Sequence, residues 1–180
     1  MNTISAIKTR KSPDVFNSAP IGDKELKAIT EAGNYAPIFG KIDITVVKNP
    51  ELLELISLTA LNMMKHSGNE FLEKTAAIPG YNALRHCTAF VILSSPNEDD
   101  PMGFNMANVS CAAENIILAA TDLGIASRFM MGPIIALTVE PVKSKLAISE
   151  NFKPLIAVAL GSSEIEFSER IKEHNNIRYI

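Results

Sequence analysis

Tryptophan is absent from the 180 residues, and only two cysteines and three histidines occur. Cys87 and Cys111 lie far apart, form no C-x-x-C pair and can close at most one bridge. His66, His86 and His174 include no i,i+4 pair, so the four N/S ligands of a structural zinc site are missing and no metal site is expected. The thiols read as buried groups in a reducing cytoplasm. A basic surplus is also missing: 17 Lys and Arg stand against 20 Asp and Glu, a formal charge of −3, which disfavours a nucleic-acid binder. No apolar run approaches about 18 residues, so no membrane span is expected. The opening MNTISAIKTRKS carries its charges after its apolar stretch, the reverse of a secretory signal. A nucleophile elbow, a Walker loop, H-E-x-x-H and G-x-G-x-x-G are all absent.

The composition present is that of a folded protein, 47% hydrophobic and 21% charged. With no repeat, linker or low-complexity stretch, residues 1–180 read as one domain. Ile4 and Ile7 space a short helix over Thr3 to Thr9, and Leu26, Ile29 and Ala32 a second one from an Asp23 cap. Ile42 to Val47 is a β-branched strand. Asn49-Pro50-Glu51 opens a helix that runs to Met64. Ala89 to Leu93 is a continuous apolar strand, covered on both faces. The helix from Met106 to Asp122 is apolar nearly all round, hence central, and Gly124 ends it. Strands are expected over Ser127 to Met131 and Leu155 to Gly161, and a helix over Val139 to Ile148.

One cluster suggests chemistry. Arg10-Lys11-Ser12 sets two cations and a hydroxyl in a row at a helix end. Arginine offers a fork of donors, lysine a point charge and serine a hydroxyl, which together clamp a phosphate. The same charges would also complement the helix dipole. The acidic pair Asp99-Asp100 reads as a solvated loop.

The opening segment IKTRKSPDVFNSAPI resembles that of the FMN-dependent nitroreductase family, in which an Arg-Arg-Ser-like triplet precedes a phenylalanine and a Pro-Ile. EAGNYAP (Glu31 to Pro37), NVSCAAENIILAATDLGIASRF (Asn108 to Phe129), IAVALG (Ile156 to Gly161) and RIKEHNNIRYI (Arg170 to Ile180) resemble further family segments in the same order. Two departures stand out. Ile38 to Lys41 is shorter than the family's Asn-x-Gln-Pro-Trp-like stretch, and Asp14 stands where a Lys or Arg is common.

The resemblance implies an α+β fold with a mixed, mainly antiparallel sheet flanked by helices, in a homodimer with FMN at the subunit interface. It implies electron transfer from NADH or NADPH through FMN to a small-molecule acceptor such as a nitroaromatic or a quinone. It assigns the phosphate to Arg10, Lys11 and Ser12, joined by Arg170 or Lys172 from the tail. The charge of the ring falls to Arg85 helped by Asn82, and a backbone N–H to Met131-Gly132. Pro37 and Ile38 are assigned to the cofactor, and the Ile38 to Lys41 stretch with the loop around Asn69 to Tyr81 shapes the gap over the ring. No side chain is assigned as an acid, base or nucleophile, because the flavin carries the chemistry. Asp14 is expected to face away from the phosphate. The alternative is a non-catalytic dimer of the same fold with a decayed flavin pocket.

Overall fold

The computed structural model describes residues 1–171 and 177–180. Five helices occur in it: α1 Thr3–Thr9, α2 Asp23–Ala32, α3 Pro50–Lys65, α4 Glu70–Ala76 and α5 Phe104–Asp122. Four strands, β1 Asp43–Val47, β2 Ala89–Pro96, β3 Ala126–Met130 and β4 Phe152–Gly161, form one sheet in the order β1-β2-β4-β3. The molecule is an α+β protein.

The sheet expected to be mainly antiparallel is wholly so, all three strand pairings being antiparallel. The cause is β4. The connection from β2 through α5 to β3 brings two parallel strands into the sheet, but β4 lies between them and is antiparallel to both. Val91, for example, faces Val158, which faces Phe129 on its other side.

The two-residue period of the strands divides the core. Phe90, Ile92, Ala157 and Ala159 pack with Leu53 and Ile56 of α3 and with Leu137 and Val142. Val91, Leu93, Ile156, Val158 and Leu160 pack with α5 through Val109, Ile116 and Ile117, and with α2 through Leu26 and Ile29. The middle strands are therefore covered on both faces, and their sequences need no alternation.

Local rules hold at several ends. The Asn49 side chain accepts the Leu52 N–H at 2.9 Å, with Pro50 at the first helical position. Gly124 has φ +71°, the left-handed turn that releases α5 into β3. Asp23 is the first residue of α2 rather than its cap, which is Gly22, and it pairs with Lys48. The helix expected over Val139 to Ile148 is only a 3-10 turn, Lys143–Lys145. Its apolar spacing reflects burial of Val142 and Leu146 under the α3 face of the sheet, which one tight turn achieves. Within the described residues no helix is long and apolar enough to cross a membrane.

Beyond β4 the chain turns back along its own beginning. Ser162 accepts the Asn17 N–H at 2.9 Å, the Ser163 hydroxyl donates to Val15 O at 3.3 Å, and the Arg170 N–H reaches Lys8 O at 3.2 Å. This return path brings the tail to the end of α1.

Candidate functional site

At the end of α1 the Arg10 N–H closes the last turn on Ala6 O, and Arg10 then leaves helical geometry at ψ 127°. Its guanidinium donates to the Ser12 hydroxyl at 3.1 Å, and Lys11 reaches the Ser168 hydroxyl at 2.5 Å. Arg170 crosses over from the tail and donates through Nη2 to Ile7 O at 2.9 Å and through Nε to Lys8 O at 3.3 Å. The terminal carbonyls of α1 are thus taken by Arg170 and not by the side chains of the triplet. Arg10, Lys11, Ser12 and Arg170 line one open cleft of about 630 Å³. Burial, and next the charge of Arg170, hold the Arg10 pKa below its ordinary value, while Glu114 opposes the shift. Among the described residues no carboxylate pairs with Arg10, Lys11 or Arg170. Such a cluster of cations is suited to an anion.

A second cleft of about 300 Å³ lies against β3. Met63 and Met64 of α3, Phe71 and Leu72 of α4, and Met131, Gly132 and Ile135 give it an apolar wall, into which Arg85, Tyr81 and Arg128 bring polarity. A Cβ added at Gly132 would meet nothing within 4 Å, so the backbone there is open to a ligand. The Arg85 guanidinium lies over the Tyr81 ring, 4.5 Å from its centroid. Arg85 Nε is buried without a hydrogen-bond partner.

The loop that presents Arg85 is under strain, since Arg85 and His86 have φ +59° and +60°. The Asn82 carboxamide oxygen stabilises this turn by accepting the N–H groups of Leu84 at 2.9 Å and His86 at 3.1 Å. Arg85 O is held by the Phe16 N–H at 2.8 Å.

The two clefts are joined through residues 12–14. Arg128 Nη1 donates to Pro13 O at 2.7 Å and to the Asp14 carboxylate at 3.2 Å. The Asp14 side chain is 95% exposed and is turned away from the cationic triplet.

A family model described as the nitroreductase family matches residues 7–162. The chain belongs to this family. A nitroreductase of Bacteroides fragilis, solved with bound FMN, is 27% identical, with a TM-score of 0.87 over 100% of this chain and 99% of that one. A nitroreductase of Desulfitobacterium hafniense, also with bound FMN, has a TM-score of 0.84 at 24% identity, over 100% and 99% of the two chains. A putative NADH dehydrogenase/NAD(P)H nitroreductase of Parabacteroides distasonis shares the fold at 17% identity and TM-score 0.66, over 97% and 95%. No curated protein matches the chain.

On this nitroreductase frame the residues singled out in the sequence fall into three groups. Arg10, Lys11, Ser12 and Arg170 share the first cleft, and Arg85, Met131 and Gly132 share the second. Asn82 does not assist Arg85 from inside that cleft, because its carboxamide is engaged in its own turn and it lines a different hollow, with Leu84 and His86. Pro37 and Ile38 line neither cleft: Pro37 is exposed and Ile38 packs on the α5 side of the sheet. Phe39 beside them is tied to α5, where the Asn108 carboxamide exchanges two hydrogen bonds with its backbone. Lys172 lies outside the described residues. Phe71, Leu72 and Tyr81, from the Asn69 to Tyr81 stretch expected to shape the gap over the ring, line the second cleft. Arg128 carries no such signal, because it is hidden inside a strand.

Proposed function

We propose that this member of the nitroreductase family is an FMN-dependent oxidoreductase that takes electrons from NADH or NADPH and passes them to a small electrophilic acceptor, a nitroaromatic or a quinone. The observation that carries this reading is the pair of clefts strung on residues 10–14: a cationic one, and an apolar one floored by β3. FMN has the matching halves, a phosphate and a flat ring, joined by a flexible chain. The residues fit the group, because Arg10 and Arg170 share a cleft in which the one carboxylate among the described residues, Glu169, is paired with Lys8, and Arg85 Nε is buried without a partner.

The bound flavin supplies the redox chemistry, accepting a hydride and delivering two electrons. The protein binds and orients. Arg10, Lys11, Ser12 and Arg170 hold the phosphate, their charges fixed by the end of α1 and the returning tail. Arg85, stacked on Tyr81 and held in place by the Asn82 turn, would hold the ring end of the flavin and offer its guanidinium to negative charge there. The backbone of Met131-Gly132 offers an N–H where no side chain intervenes. Methionine and phenylalanine side chains exclude water and accommodate flat substrates of varied shape.

The family resemblance and the exposed apolar residues Tyr35, Phe39, Met102 and Phe104 support a homodimer. Both thiols are free, Cys87 buried as expected and Cys111 exposed on α5 instead, and free thiols suit a cytoplasmic location. The alternative of a decayed pocket rests on the missing Asn-x-Gln-Pro-Trp-like stretch and on Asp14; the second ground is weakened because the Asp14 carboxylate pairs with Arg128.

The purified protein should be yellow with oxidised-flavin absorbance, and NADH or NADPH should bleach it under nitrogen before an added quinone restores the colour. A colourless protein that takes up no FMN would refute the reading.

A further inference from the structure

We propose that Arg128 is a second cofactor-positioning cation, presented from β3 and steered by Asp14, that faces the ring end of the flavin; this rests on the FMN reading above. The observation is an anomaly in the strand pattern. Residues 126, 128 and 130 share one face of β3. Ala126 and Met130 on that face are buried in the α3-side core, and Arg128 stands opposite Ala159 of the same core. An arginine thus occupies the middle of an inward row where an apolar residue belongs, and its side chain is only 27% exposed. A charge so placed is costly unless it is partnered.

Its partners on this chain are incomplete. Both hydrogen bonds leave from Nη1, one to Pro13 O and one to Asp14, which is almost wholly in water. The Nε and Nη2 edge of the fork is left for a ligand. Arg128 lines the same cleft as Arg85 and Gly132. Pro13 is buried and follows Ser12 directly, so the bond to its carbonyl registers Arg128 against the phosphate triplet. The cleft therefore meets a ring with two guanidinium groups, one strained into place by its own turn and one drawn in by an acid at its rim. Asp14, out of place as a phosphate neighbour, finds a role as the residue that orients Arg128. The plain alternative is that an inward charge on an edge strand only guards against sheet-to-sheet pairing.

The experiment uses purified apoprotein titrated with FMN, followed by the midpoint potential of the loaded protein. Arg128→Gln should weaken FMN at least tenfold and make the potential more negative. Arg128→Lys, which keeps the charge, should hold the potential near wild type. The double variant Asp14→Asn/Arg128→Gln should stay as weak and as negative as Arg128→Gln. A double variant that regains wild-type affinity and potential would show that Arg128 only neutralises Asp14, and would overturn the proposal. Wild-type affinity and potential in Arg128→Gln itself would leave only edge protection, and would overturn it too. If Arg128→Gln does not fold, Arg128→Lys decides: affinity lowered threefold or more at an unchanged potential supports the proposal, and unchanged affinity overturns it. Wild-type apoprotein that binds no FMN would bring down the FMN reading and this proposal together, whereas failure in the variants alone leaves that reading intact.

Discussion

Arg170 donates to Ile7 O at 2.9 Å and so brings its charge beside Arg10, 160 positions earlier in the chain, on which it acts repulsively. Two neighbouring cations relieved by one phosphate make the affinity depend on each. Arg10→Ala should weaken FMN binding by about 1.5–3 kcal/mol, the range for hydrogen bonds to charged groups, or roughly ten- to a hundredfold. Titration of the apoprotein measures it, and an unchanged dissociation constant would remove Arg10 from the site.

Arg85 adopts φ +59°, which costs a residue with a Cβ on the order of 1 kcal/mol and costs glycine nothing. Arg85→Gly should therefore be more stable than Arg85→Ala by about 1 kcal/mol in chemical denaturation of the apoprotein. Equal stabilities would mean that the turn relaxes once the guanidinium is gone.

Gly161 ends β4 against Phe16. A Cβ there would lie 2.9 Å from Phe16 Cδ1 and 3.1 Å from Phe16 Cβ, so the whole residue must shift and not merely its tip. Gly161→Ala should cost about 1–3 kcal/mol by overpacking and lower the Tm by several degrees. Because the Phe16 N–H holds Arg85 O, FMN affinity should fall as well. A fall in Tm with affinity unchanged would uncouple the two contacts.

Burial pushes the Cys87 thiol up from 9.0 to about 12. The folded state disfavours the thiolate, so this contribution to stability is complete below pH 9 and is lost as pH rises from 9 to about 12. Cys87 should resist iodoacetamide at pH 8.5 in the folded protein and react on unfolding. Rapid labelling without unfolding would contradict its burial.

Tyr35 and Phe39 are 85% and 77% exposed, and Phe39 stacks at 5.5 Å on Phe104, so an aromatic surface lies along one end of α5. The protein should elute as a homodimer in size-exclusion chromatography with light scattering. A monomer at micromolar concentration would remove the partner from the proposed site.

The chain announces the elements whose signals are local. Asn49-Pro50, Gly124 and the apolar runs of β2 and β4 each state their structure within a few residues. The triplet Arg10-Lys11-Ser12 is equally legible, but the role of Arg170 depends on a return path that no local pattern encodes. Arg128 is concealed for a related reason: in a five-residue strand a single charge reads as the solvent face, and only the register opposite Ala159 reveals that it points inward. Asn82 misleads because its spacing from Arg85 suits a ligand contact and a turn equally well. The seven-residue helix α4 has little room for periodicity; its Asn69 cap and its Glu70–Lys74 pair are its only clear marks.

The return of the tail has a consequence for biosynthesis. Arg170 and Ile7 are 163 residues apart in sequence, and their contact completes the anion cleft. A chain emerging from the ribosome exposes Arg10 to Ser12 before any strand of the sheet, yet cannot close the cleft until Arg170 has been made and has swung back over α1. On the proposed function, flavin capture would thereby be deferred until the sheet already exists.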